Sequence, residues 1–459
     1  MIGHVVRRHL AGFLAVSAAG AGIGWGGGYG DAAQWLFAAL AGAAGVAALL
    51  ASRSYRPLAR PAVAVLLAFA GLGALSAVWT IGLPVDALRW GAVTGGYAAL
   101  VLAAGVSLRP EFVAVGIAFA AALTGTLGLI AAASFSTSFA ERVDGGWRPQ
   151  GPFAYGPALA LLEVCALPVL LTGMARLRPA VAGLAAAGAA IAGGVLALDA
   201  NRTAIGLATL VGALALASSA RTVQVSRWVV AAALSTAALA GLGIHAVAGG
   251  WRGPHVHSSG WTVVATMACV AAAGLAWAAI RRLAARPGLP ALEPGHERRL
   301  AVAAVALVAA ASVGLGTAGA LSARRFPDHQ GFTHGRTWMW RVAADAAFDR
   351  PFGGSGAGTF LRATFLDQPG YGRITRFAHN LPLEAAAELG TPGFLLAIAL
   401  YLAAVLALWR ARGTTALWLL GPAVAAFLVS NAVDWTWHLA GIGAVFVLAL
   451  GSLSARALR

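Results

Sequence analysis

The sequence predicts an all-α membrane protein, a polytopic bundle of about 12–14 transmembrane helices. The chain is 59% hydrophobic and only 10% charged, whereas a soluble domain carries about a quarter charged residues. Its mean hydropathy is +0.79. Apolar runs of about 20 residues, the length that crosses a bilayer core, recur from end to end. The short alternating segments of a membrane β-barrel are not the dominant pattern.

The predicted spans are apolar runs separated by short polar connections. They lie near residues 9–25, 33–51, 61–80, 86–106, 111–133, 153–172, 179–198, 203–219, 228–247, 261–280, 300–320, 391–409, 415–431 and 437–454. The basic start of the chain resembles a signal peptide, but the many following spans favour a first transmembrane helix.

Arginine placement predicts the orientation of the bundle. All 32 basic residues are arginine, and most of them fall in one set of alternate short connections. The positive-inside rule assigns that set to the cytoplasm. Both termini are then cytoplasmic, and the long connection is extracytoplasmic. The predicted regions are 1–320 (N-terminal, about 11 spans), 321–390 (an extracytoplasmic catalytic loop of short helices) and 391–459 (C-terminal, about 3 spans).

The long connection concentrates polar and aromatic residues. Its sequence predicts a helix over 337–348, ended by Pro351 and the glycine-rich stretch "GGSGAGTF". That stretch has neither the P-loop lysine nor the dinucleotide spacing. It favours a tight turn over a phosphate cradle. Arg336 lies at the helix start, and Arg341 lies five residues on, off the narrow face of Arg336.

The stretch "RFAHNLPLEAAAELGTPGF", residues 376–394, predicts a second short helix. Asn380 is a good N-cap and proline is tolerated in a first turn. Glu384 and Glu388 share one face, and Gly390 ends the helix. His379 therefore precedes a helix N-terminus, which attracts anions and helps to keep an imidazole neutral.

These residue types favour a lipid-linked phosphate as substrate. Arginine binds phosphate bidentately, and a neutral histidine accepts a proton from an attacking hydroxyl. The sequence contains no Asp-x-Asp pair, so we expect no metal and no cofactor. Further candidates for binding phosphate or sugar are the loop arginines, Arg148, Arg341, Arg373 and Arg376. A net charge of +16 spread over many loops does not favour nucleic acid.

Several other residues have a structural interpretation beside a functional one. Glu163 lies in mid-span, where a carboxylate is expensive; a functional group and a hydrogen-bonded or protonated structural residue are both open. Trp435 and Trp437 are predicted as interface anchors. Cys165 and Cys269 are predicted as inert thiols.

The ordered motifs resemble the bacterial O-antigen ligase and polymerase superfamily. "HNLPLEAAAELGTPG" fits its pattern His-Asn-x-x-Leu-x-x-x-x-Glu-x-Gly-x-x-Gly. The specified places are filled by His379, Asn380, Leu383, Glu388, Gly390 and Gly393. "GRTWMWRVAADAAFDRPFGGSGAGTF" is similar to the segment upstream of that motif. "DANRTAIGLATLVGALAL" resembles the arginine at the outer mouth of a span, with Asn201 in place of a serine. Tyr155 and Gly156 depart from an Asn-Pro-Asn run common in the family.

The resemblance implies a GT-C-like, inverting, metal-independent glycosyltransferase of the bacterial cytoplasmic (inner) membrane. It implies transfer of a glycan from undecaprenyl diphosphate to an acceptor hydroxyl on the outer face. Arg202 and Arg336 would bind the diphosphate, His379 would activate the hydroxyl or position the phosphate, and Glu388 would orient the motif helix. The resemblance also makes Asn380 and Glu388 substrate-binding candidates, although a helix cap is the alternative for Asn380.

The acceptor stays open at this point. A ligase uses lipid A-core or another envelope acceptor, a polymerase uses a further glycan repeat unit, and a protein O-oligosaccharyltransferase uses serine or threonine. From another class, a transporter of a lipid-linked or anionic solute also fits many spans, although paired broken helices, which favour transport, are not evident.

Overall fold

The structure is a computed structural model that describes residues 2–52, 58, 60–143, 146–218, 227–249, 259–284, 336–368 and 374–456. The described helices are α1 Ile2–Gly24, α2 Asp31–Ser52, α3 Pro61–Leu75, α4 Pro84–Ser107, α5 Pro110–Ala133, α6 Gly156–Arg176, α7 Pro179–Asp199, α8 Arg202–Ser218, α9 Arg227–Ile244, α10 Ser259–Ala284, α11 Arg336–Asp349, α12 Phe360–Thr364, α13 Leu381–Arg410, α14 Thr415–Val433 and α15 Ala440–Arg456.

The protein is an all-α polytopic membrane protein, as predicted. Ten helices of the described part are long and apolar enough to cross a membrane by length and composition. Each predicted span corresponds to a described helix, except 300–320, which lies outside the described residues. Helices α3, α4, α5 and α7 begin at a proline, whose fixed φ suits the first helical position.

The chain forms two compact units. The first unit comprises Met1–Val113, Phe326–Arg412 and Phe427–Arg459. Within it α4 packs against α2, α3 and α15, and α13 packs against α3 and α11. Gly22 of α1 meets Gly441 of α15 so closely that a Cβ on Gly22 would lie 2.9 Å from the Gly441 Cα. Small residues let these backbones approach, as is common in membrane bundles.

The second unit comprises Ala114–Arg325 and Gly413–Ala426. Its helix α7 packs against α6, α9 and α10. An antiparallel hairpin of two strands, β1 Ala140–Val143 and β2 Gly146–Pro149, lies between α5 and α6. The sequence analysis did not predict this hairpin, because four-residue strands show too little alternation to stand out beside long apolar runs.

Three of the structural interpretations can be judged. Cys165 and Cys269 are free thiols, as expected. Glu163 is fully buried in α6, and neither carboxylate oxygen has a hydrogen-bond partner among the described residues. No contact of the described residues supports the hydrogen-bonded interpretation of Glu163, and the functional and protonated interpretations stay open. Trp437 is only 3% exposed and its carbonyl accepts from the Tyr97 hydroxyl, so its assignment as a lipid-interface anchor is wrong.

Candidate functional site

Arg336 is the first residue of α11. This is the helix predicted over 337–348, and it extends one residue further at each end. Its side chain is 23% exposed, and its Nη2 lies 3.8 Å from the Asp434 Oδ2. Arg341 is exposed one and a half turns later, in agreement with the prediction that the two arginines use different faces.

His379 lies directly before α13 with a left-handed backbone, at φ +54°. Few residues other than glycine adopt this left-handed conformation, and those that do cluster at functional sites. The Trp340 indole donates to the His379 carbonyl at 3.4 Å. The imidazole Nδ1 is buried 3.2 Å from the Asp434 Oδ1, but the two atoms are not aligned as a hydrogen bond.

Asp434 joins the predicted arginine and histidine. Its carboxylate is 6% exposed and faces Arg336 with one oxygen and His379 with the other. The second oxygen also accepts from the Trp435 N–H at 2.8 Å. The sequence analysis did not select Asp434 as a site residue. One signal in the sequence could have identified Asp434. It is a carboxylate at the end of an apolar run, where burying a charge costs free energy.

Asn380 is the N-cap of α13, as predicted. Its Oδ1 accepts from the Leu383 N–H at 3.0 Å, and its Nδ2 donates to the Ala432 carbonyl at 2.9 Å. Both ends of the amide are therefore used inside the protein. Asn380 is therefore a structural cap, and no contact of its side chain supports the substrate-binding interpretation.

Glu388 of α13 hydrogen-bonds the glycine-rich turn. Its carboxylate accepts from the Gly358 and Phe360 N–H groups, each at 2.8 Å, and its own carbonyl accepts from Gly356 N–H at 2.7 Å. The turn thus directs its N–H groups at protein oxygens, which supports the predicted tight turn over the phosphate cradle. Glu388 orients the turn as well as the motif helix.

Gly390 marks the predicted end of the motif helix. It has φ +67° and ψ −163°, a region that only glycine enters readily. A Cβ there would lie 2.7 Å from the Pro351 carbonyl oxygen. The short helix over 381–389 and the following membrane helix, which together form α13, are therefore joined by a sharp corner.

A second histidine lies near the motif. The His438 Nε2 contacts the Glu384 carboxylate in a short hydrogen bond, and the same carboxylate accepts from the Ala378 N–H at 2.8 Å. The His438 ring stacks on Phe377, with 4.2 Å between ring centroids. Burial alone would lower the pKa of His438, but the charge and hydrogen bond of Glu384 outweigh it and raise that pKa.

Arg376 is exposed, and its Nη1 donates to the Tyr29 hydroxyl at 2.6 Å. Arg373, the neighbouring candidate, lies outside the described residues.

Two further candidates belong to the second unit. The Arg148 guanidinium hydrogen-bonds Asp199 and lies 3.6 Å from the Glu141 carboxylate. Burial opposes the charge, but these carboxylates raise the pKa of Arg148 overall. Arg202 begins α8, whose N-terminus is capped by Asn201 through the Ala204 N–H at 2.9 Å. Asn201 therefore performs the capping that a serine in that place would also supply.

No group of three or more His, Cys, Asp or Glu side chains in the described part of the chain is placed to hold a metal ion.

Residues 256–398 match the O-antigen ligase family. This part of the chain is therefore similar to an O-antigen ligase domain. The matched range includes Arg336, His379 and Glu388, so the predicted superfamily is confirmed over the segment that holds the histidine motif. The O-antigen ligase domain supports a glycosyltransferase-like activity. A search of curated proteins found no match to the chain.

Proposed function

We propose that this protein transfers a glycan from a polyprenyl diphosphate, of the undecaprenyl type, to an acceptor hydroxyl. The observation that carries the proposal is the Asp434 carboxylate between Arg336 and His379, within 3.8 Å and 3.2 Å of their nitrogens. The cluster combines a phosphate-binding cation with a proton acceptor, and the O-antigen ligase domain supports the reaction class.

His379 is the proposed general base. Its Nδ1 faces Asp434, so the Nε2 is the nitrogen that takes the proton. The acceptor oxygen attacks the anomeric carbon, the bond from that carbon to the diphosphate breaks, and the hydroxyl proton moves to Nε2. Asp434 is a positioning residue that stabilises the imidazolium and favours the Nδ1–H tautomer, as carboxylates do beside catalytic histidines.

Arg336 is the proposed ligand of the leaving diphosphate. A guanidinium binds phosphate oxygens bidentately and keeps its charge at any physiological pH. Fixed positive charge at the leaving group stabilises the transition state. A single displacement inverts the anomeric centre. We expect chelators to leave the rate unchanged; inhibition that added metal reverses would contradict the arginine-for-metal proposal.

Arg202 is proposed as a second diphosphate ligand on the resemblance alone. We further propose that the protein lies in the cytoplasmic membrane of a bacterium, with both termini inside and the Arg336–His379 cluster outside. The support is the distribution of arginines over alternate connections.

The test compares polyprenyl-diphosphate lipids, by mass spectrometry, in cells that express wild type or His379→Ala at equal levels. His9→Ala removes an exposed histidine of α1 and is the matched control. Long lipid-linked glycans that accumulate in His379→Ala but not in the control identify a ligase. Single repeat units identify a polymerase, and a loss of glycosylated protein identifies a protein glycosyltransferase. An unchanged lipid pool would contradict glycosyl transfer and favour transport of another solute.

A further inference from the structure

A cavity of about 760 Å³ lies within the first unit, beside the Arg336–Asp434–His379 cluster. None of those three residues lines it. The wall nearest to the cluster contains Phe377, two residues before His379, and His438, which contacts Glu384. The volume falls within the roughly 300–1,000 Å³ typical of small-ligand sites.

The lining combines aromatic rings with oriented polar groups. Tyr29, Trp90, Phe365 and Trp437 supply apolar surface. Arg89 lies 2.5 Å from the Asp31 carboxylate and 2.7 Å from the Asp86 carboxylate. Each of these contacts uses one oxygen of its carboxylate, so the other oxygen remains a potential acceptor for hydroxyl groups.

Two arginines of the lining bond only to neutral oxygens. The Arg362 Nη1 donates to the Ile81 carbonyl at 3.1 Å, and the Arg376 Nη1 donates to the Tyr29 hydroxyl at 2.6 Å. Among the described residues neither guanidinium has a carboxylate partner within salt-bridge distance. The cavity therefore offers positive charge that its own carboxylates do not neutralise.

Thr94 of α4 gives the independent indication of a ligand. It is 1% exposed, lines the cavity, and its hydroxyl has no hydrogen-bond partner in the described part of the chain. Helical threonines elsewhere, such as Thr126 and Thr236, donate to the carbonyl four residues earlier. A buried hydroxyl without a partner is costly, and a ligand in the cavity would supply one.

We propose that this cavity binds an acidic sugar unit, with its ring against the aromatic side chains and its carboxylate at Arg362 and Arg376. The inference rests on the proposed function for the origin of that sugar, which is either the transferred or the accepting glycan. It names a substrate class that the catalytic cluster alone does not define.

The lining favours a sugar over a second diphosphate site. Asp31, Asp86 and Glu388 all line the cavity. Their repulsion grows with the charge of the ligand, so it opposes a diphosphate with several negative charges much more than a sugar with one carboxylate. A sugar uses the unoccupied oxygens of Asp31 and Asp86 as acceptors for its hydroxyl groups. Its apolar ring face fits aromatic surface, whereas a diphosphate has no apolar face.

The first measurement is binding of soluble probes to the full-length protein in detergent, by isothermal titration calorimetry. The probes are glucuronate, glucose and inorganic diphosphate. We expect saturable binding of glucuronate, with glucose at least about tenfold weaker because it lacks the charge. Absence of glucuronate binding, or tighter binding of diphosphate in competition, would overturn the proposal.

Thr94→Val is the decisive variant, since valine keeps the shape and removes only the hydroxyl. We expect glucuronate binding to weaken by about fivefold, the loss of one hydrogen bond, with a Tm no lower than that of wild type. Ser452→Ala is the control, because Ser452 is also buried, lacks a partner among the described residues and does not line the cavity. Equal glucuronate binding by Thr94→Val and wild type would contradict the proposal.

Transfer assays separate this proposal from the proposed function. His379→Ala should lose transfer and keep glucuronate binding. If wild type binds glucuronate but transfers nothing, the proposed function fails and the sugar site stands. In an active enzyme, the KM that rises in Thr94→Val identifies the source of the sugar as donor or acceptor. If neither KM changes, the cavity is not a substrate site.

Discussion

Two histidines of the first unit each face a carboxylate, but the two pairs are built differently. His379 has a left-handed backbone and approaches Asp434 at 3.2 Å without hydrogen-bond alignment. His438 is hydrogen-bonded to Glu384 and stacked on Phe377. The Glu384 carboxylate is itself fixed by the Ala378 N–H at 2.8 Å.

The difference separates a chemical from a structural use of the same residue types. A tightly paired and stacked imidazole keeps its proton and fixes the chain around it. A looser pair leaves the imidazole able to exchange a proton with a substrate, since catalytic contacts are often long before substrate binds. We therefore propose that His379 transfers the proton and that the His438–Glu384 pair supports its loop.

Replacement of His379 should give the largest effect. His379→Ala should lower turnover by about 10²–10⁴-fold, the usual contribution of a general base, with little change in Tm. Transfer by purified protein and thermal unfolding measure the two quantities. His438→Gln should show the opposite pattern, a lower Tm and a smaller loss of turnover. Equal losses of turnover in both variants would contradict the proposal that only His379 transfers a proton.

Replacement of Arg336 tests the other partner of Asp434. Arg336→Lys should reduce turnover by about tenfold or more, because an ammonium cannot bind the diphosphate as a fork. Arg350→Lys changes an exposed arginine just beyond the same helix and is the control. Turnover at the wild-type rate in Arg336→Lys would show that charge alone suffices.

Replacement of Glu388 tests a carboxylate that serves structure. The Glu388 carboxylate accepts from the Gly358 and Phe360 N–H groups at 2.8 Å each. Glu388→Gln replaces one of these acceptor oxygens with an NH2 group, which places a donor opposite a backbone N–H. We expect a loss of about 1–3 kcal/mol in the free energy of unfolding, the cost of a buried group without a partner. Thermal or denaturant unfolding in detergent measures it. An unchanged stability would mean that the turn is held mainly by its backbone contacts.

The smallest effect concerns pH. Because the pKa of His438 is raised in the folded protein, its charge stabilises the fold fully below the ordinary imidazole value of about 6.5. That contribution is lost as the pH rises through the raised folded-state value. The Tm difference between wild type and His438→Gln should therefore be largest at acidic pH and shrink at alkaline pH. A difference that grows with pH would reverse the assignment.

Local signals predicted much of the fold. Apolar runs predicted the membrane helices, Asn380 predicted the start of α13, and Gly390 predicted the break within it. Each depends on a few neighbouring residues, and hydropathy, capping and glycine conformation are properties of such short stretches.

The site was predicted only in part. His379 and Arg336 were selected from the sequence, but their shared partner was not. Asp434 lies 55 residues after His379, and a contact over that separation depends on the fold of the intervening chain, which no short stretch of sequence specifies. The contacts of Glu384 with His438 and of Glu388 with the Gly358 N–H were not predicted for the same reason, since each joins residues far apart in the sequence. A sequence pattern marks such carboxylates as available without indicating their partners.

The reciprocal contacts around Glu388 also set an order of events during synthesis. The N–H groups of Gly356 and Gly358 have their acceptors on Glu388, about 30 positions later, and Gly390 leaves room for Pro351. The ribosome therefore releases the turn before its partners exist. The contacts of Arg336 and His379 with Asp434 likewise form only after nearly the whole chain has been synthesised.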